Sequence, residues 1–78
     1  MKRGNFNYWG QDYEGLIIIE TIDELAEYKE RVKDNPSLGL VYKHWLEIVN
    51  DPTLTLVINP MNGISYFCIP QTTEIEFI

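Results

Sequence analysis

The sequence predicts an α+β domain: a mainly antiparallel sheet of three to five strands, packed on one face by two consecutive helices, in the order (β)-β-α-α-β-β-β. Three observations carry this. Leu16-Ile17-Ile18-Ile19 is apolar at every position, which suits a strand covered on both faces. Residues 21–50 repeat apolar side chains at spacings of three and four, interrupted once at Asn35-Pro36. Thr53 to Ile69 reads as a β-hairpin around Asn62-Gly63, a pair that tolerates positive φ at both centres of a type I′ turn. The 78 residues form one domain, of a size that buries only ~60% of its unfolded surface.

In chain order, Phe6 to Trp9 is aromatic enough for a short strand, with Gly10-Gln11-Asp12 as its turn. The apolar run Leu16–Ile19 then belongs at the centre of the sheet, its second face covered by the N-terminal aromatics. Thr21-Ile22-Asp23-Glu24 is a capping box and opens a helix running to about Lys33. Ile22, Leu25, Tyr28 and Val32 form its apolar stripe. Asp23, Glu27, Glu30 and Asp34 line up on the opposite face. Pro36 starts the second helix, with Gly39 weakening its first turn. Leu38, Val41, Trp45, Ile48 and Val49 turn inward and Leu40 projects outward. Asn50-Asp51-Pro52 ends it.

A two-residue turn at Asn62-Gly63 sets Ile58 opposite Phe67 and Leu56 opposite Ile69, gathering all four on one face. It leaves Val57, Tyr66 and Cys68 on the other. Pro60 lacks an N–H and is the awkward member; a loop over Pro60 to Gly63 keeps the same parity. Thr73 to Ile78 alternates glutamates with Ile75 and Phe77, a half-buried edge strand whose outward acids discourage edge pairing.

Twelve acids against six bases give a net charge of −6. That balance disfavours direct nucleic-acid binding and favours a protein partner with a basic surface. No apolar run approaches the roughly 20 residues of a membrane helix, and the start MKRGNFNYWG lacks a signal-peptide core. A single cysteine, Cys68, cannot form an internal disulfide or a zinc site, and a cytoplasmic protein is expected.

Candidate chemistry is sparse. His44 and Glu47 have helical spacing for two metal ligands, but metal sites usually need three or four. His44 with Cys68 lacks any positive neighbour to activate the thiol. Asp12 and Glu14 could pair as acid and base, yet nothing else converges on them. No phosphate-binding or nucleophile-elbow motif occurs. The expectation is a non-catalytic protein without metal or cofactor. Two Trp, five Tyr and three Phe exceed the needs of so small a core, so some lie at the surface. The expected partner-binding residues are Asp23, Glu27, Glu30 and Asp34 on the first helix, with Tyr8, Trp9 and Tyr13 near the N-terminus. The composition is shared by inhibitors, immunity proteins, antitoxins and phage accessory proteins, an analogy of profile only. The alternative is a self-associating subunit, a homodimer, that uses the N-terminal aromatics and an open sheet face.

Overall fold

The computed structural model describes residues 1–78. Strands β1 (Arg3–Tyr8) and β2 (Gln11–Ile19) form a hairpin, followed by helices α1 (Ile22–Arg31) and α2 (Leu38–Asn50). Strands β3 (Leu54–Ile58), β4 (Tyr66–Pro70) and β5 (Glu76–Phe77) complete the chain. All strand pairs are antiparallel and the spatial order is β4-β3-β2-β1-β5. The expected α+β architecture is present, with β2 at the centre as its apolar run requires.

The run on β2 is apolar throughout because it serves two cores. Ile17 and Ile19 point to the helix side and join Leu25, Tyr28, Leu38, Trp45, Leu56 and Ile58. Ile18 points the other way and joins Phe6, Val57 and Ile69. No helix covers that second face. Leu16, Ile75 and the rings of Tyr8, Tyr13 and Phe67 pack there instead, and Ile18 and Val57 are left with no exposed surface. Complete burial of such aliphatic side chains contributes about 1.5–3 kcal/mol each.

Local chemistry explains most helix boundaries. Thr21 caps α1, its hydroxyl accepting the Glu24 N–H at 3.2 Å. The Glu24 carboxylate returns to the N–H of Glu20 at 3.0 Å, one residue upstream of the usual capping-box partner. The helix stops at Arg31 rather than Lys33, where the Val32 N–H closes onto Tyr28 O. Ile22, expected in the buried stripe, is exposed, and burial on α1 centres on Leu25 and Tyr28. The second helix starts at Leu38, two residues after the expected Pro36. Asn35 Oδ1 accepts the Ser37 N–H at 2.8 Å and holds this segment as a turn. Leu40 is exposed, as the projection requires.

The register of the β3–β4 hairpin corrects the expected one. Val57 faces Phe67 and Thr55 faces Ile69, while Leu56 and Ile58 face Cys68 and Tyr66. The cause is the loop. Asn59 N–H bonds to Ser65 O at 2.8 Å, leaving the odd-numbered span Pro60 to Ile64 between them. Asn59 Oδ1 accepts the Met61 N–H, and Asn62 Oδ1 accepts those of Ile64 and Ser65. These asparagine turns stabilise a wider loop, and one residue of shift exchanges the faces. Phe67 and Ile69 therefore leave the helix side for the second core. Tyr66 packs against the helix-side core, and Cys68 pairs across from Leu56 there.

The two-residue turn with positive φ occurs in the other hairpin, at Trp9 (φ 54°) and Gly10 (φ 78°), with Tyr8 facing Gln11. Further along, the register shifts between Gly4 and Phe6, so that β2 carries an extra residue near Gly15 (φ 66°). This bulge is held by Asn5 Oδ1, which accepts the Gly15 N–H at 2.8 Å. The C-terminal strand docks at the sheet edge as expected but is confined to Glu76–Phe77. Ile75 beside it packs over Gly4, where a side chain would collide with Ile75 Cγ2.

Candidate functional site

The four acids expected on α1 do not form one free stripe. Asp34 lies in the turn beyond the helix. Glu30 is paired with Lys33 at 2.8 Å. Asp23 and Glu27 remain exposed and without an ion pair. Beside them, Lys2 bridges Glu20 and Glu24, the latter at 2.9 Å. Burial pushes the Glu24 carboxyl up, but Lys2, the Glu20 N–H and the Thr21 hydroxyl outweigh it and hold the group below the usual range. Lys2 is likewise partly desolvated, yet its two carboxylate partners hold its pKa above the ordinary lysine value.

The aromatic residues converge. Phe6 stacks on Tyr13 with centroids 5.3 Å apart, and Phe67 meets Tyr13 at 5.3 Å and Tyr8 at 6.2 Å. These rings come from β1, β2 and β4. In a flat sheet β1 and β4 would lie about 14 Å apart, three strand spacings. The rings thus lie across the sheet and roof over Ile18 and Val57. Trp9 extends the cluster at the tip of the hairpin, edge-on to Tyr8 at 6.2 Å and 89% exposed. A bulky residue in the left-handed region is a backbone outlier, costing roughly 1–3 kcal/mol. The strain presents an indole to solvent.

On the same two strands a groove of about 310 Å³ is lined by Asn5, Phe6, Asn7, Asp12, Tyr13, Glu14 and Glu76. The ion pairs of the molecule all lie elsewhere, so none of these three carboxylates is neutralised by a protein cation. Asp12 accepts a hydrogen bond from Asn7 Nδ2 at 2.9 Å. Asn7 faces Asp12, and Asn5 faces Glu76 and the Glu14–Gly15 bulge, so strand alternation turns these carboxylates to the sheet face opposite the Phe6–Tyr13 stack. The groove offers a cation carboxylates rather than rings.

Tyr8, Trp9 and Tyr13, expected from the surplus of aromatics, are thus brought together with each other but not with the α1 acids. Phe67 was missed because the expected register placed it under the helices. The Thr73–Ile78 alternation marks Glu76 as an edge guard and gives no sign that it would share a groove with Asp12 and Glu14 across β1.

His44 is exposed, its Nδ1 2.9 Å from the Tyr66 hydroxyl. Cys68 is a half-buried free thiol. No three His, Cys, Asp or Glu side chains gather at metal-binding distance, and no helix is long and apolar enough to cross a membrane. Compared with family models, with curated proteins and with solved structures, the chain finds no match in any of the three.

Proposed function

We propose that this chain is a small non-catalytic binding protein that docks a basic protein surface around its β1–β2 hairpin and acts by occupying it, as inhibitors and immunity-type proteins do. The observation that carries the reading is the groove lined by Asp12, Glu14 and Glu76, all without protein cations, on the hairpin whose tip carries the exposed Trp9. A Lys or Arg of the partner would complete that groove. Trp9 supplies the apolar contact that anchors such an interface. The net charge of −6 steers a basic partner toward it. A reducing cytoplasm suits the lone thiol.

An arginine-rich peptide titrated into isotope-labelled protein tests this. Shifts should concentrate at Trp9, Asp12, Tyr13 and Glu14 and fade as salt is raised. The double variant Asp12→Lys/Glu14→Lys should abolish them, and Glu27→Lys/Glu30→Lys should leave them intact. The opposite pattern would transfer the interface to α1.

Self-association through the aromatic sheet face is the second reading, favoured by the 89% exposure of Trp9. The net charge of −6 on each copy opposes it.

A further inference from the structure

A second groove lies between the end of α1 and the β3–β4 loop. It measures about 540 Å³ and carries no carboxylate on its lining, although twelve acids are spread over the chain. Its charged side chains are Arg3, from β1, and Arg31, from the last turn of α1, and Met1 with its amino group also lines it. Among the other four bases, Lys2 and Lys33 hold carboxylates, Lys29 lies 4.3 Å from the Tyr42 ring centroid, and Lys43 is exposed on α2. Neither arginine lies within 4 Å of an acid. Proximity to the α1 C-terminus favours the charge of Arg31 without using up its fork of donors.

The groove is preformed. Tyr28, buried between core and groove, donates its hydroxyl to Gly63 O at 2.7 Å and ties the loop to α1. Gly63 has φ 71°, and a Cβ there would stand 3.2 Å from the Tyr28 oxygen, so loop and helix are in close contact. Arg3 and Arg31 line the same groove as this phenol. Burial pushes its pKa up, and Arg3 and Arg31 each pull against that rise. Met61, 92% exposed, and Val32 add apolar wall.

We infer that this groove binds a phosphate monoester carrying an apolar body, its dianion held between Arg3 and Arg31. Two guanidinium forks from separate elements match the charge and three terminal oxygens of a phosphate, whereas a carboxylate is satisfied by one fork. The net negative charge of the chain does not forbid it. Screening at physiological salt limits distant carboxylates to a range of about 8 Å, and none lines the groove.

Phenyl phosphate, titrated into labelled protein above pH 7 and followed by NMR, is the test. Saturable shifts at Arg3, Arg31 and Met61 to Gly63 are expected, with inorganic phosphate binding the same residues more weakly for want of the apolar body. Arg3→Gln and Arg31→Gln sit at exposed positions and should keep the native spectrum while weakening binding about tenfold each. Lys43→Gln should change nothing. Absence of saturable shifts at millimolar ligand, wild-type affinity retained in either glutamine variant, or equal affinity for benzoate would each overturn the assignment.

Discussion

At the scale of single residues, Trp9 and Trp45 are opposite cases of one side chain. Trp45 is fully buried among Tyr28 and Tyr66, with ring centroids at 5.7 and 6.1 Å, and its Nε1 has no hydrogen-bond partner. Trp45→Ala should cost about 3–5 kcal/mol in chemical denaturation. Trp45→Phe should cost distinctly less than that, since it also removes a buried donor that forfeits roughly 1–3 kcal/mol. Equal losses in the two variants would show that the indole N–H is a satisfied, stabilising group rather than an orphaned donor. Trp9 contributes no such burial, and its φ of 54° suits asparagine better. Trp9→Asn should therefore raise stability by up to ~1 kcal/mol while removing affinity for a basic peptide. Destabilisation of more than about 1 kcal/mol would show that the indole serves the fold. The sequence reveals that Trp45 belongs in the core, from helical spacing, and that surplus aromatics must surface. It does not reveal the left-handed backbone, because Trp-Gly is not a typical pair for this turn.

At the scale of elements, residues close in sequence were read well and residues joined by loops were not. The Thr21 cap and the inward face of α2 follow from spacing and side-chain chemistry within a few residues. The β3–β4 register fails because Asn59 and Asn62 bond to loop amides and widen the turn, a choice that depends on side-chain orientation rather than residue type. The bridge from Lys2 to the start of α1 was equally hidden, since it joins residues far apart in sequence. It has a pH signature. Glu24 has a lowered pKa in the folded state, so its stabilisation is complete above the unfolded carboxyl pKa of about 4.3 and is lost as pH falls through the lower folded value. Glu24→Gln should lower stability at neutral pH and flatten the decline on the acid side of 4.3. An acid limb as steep as that of the wild type, measured by urea denaturation across pH 2–6, would remove Glu24 as a contributor.

At the scale of the whole molecule, one sheet carries a helix-covered core and a ring-covered one, and the second leaves an aromatic surface partly open. The alternative register would have put Phe67 under the helices and left Tyr66 and Cys68 outside, with no aromatic bridge from β4 to the hairpin. Fold class survives that error because either parity buries apolar residues. The site does not, because its composition depends on which face each side chain takes. A sheet face carrying Trp9, Tyr8 and Phe67 invites self-association, and the net charge of −6 on each copy opposes it. The wild-type chain should accordingly sediment as a monomer at micromolar concentration. The neutralised variant Asp12→Asn/Glu14→Gln/Glu76→Gln keeps every ring and the shape of each side chain, while its net charge falls from −6 to −3 as three acids are removed. It should form dimers under the same conditions, and added salt should move the wild type in that direction by screening. Adding Trp9→Ser to the neutralised variant should return it to the monomer if the indole is the anchor. A neutralised variant that stays monomeric would show that the rings alone cannot hold a second copy.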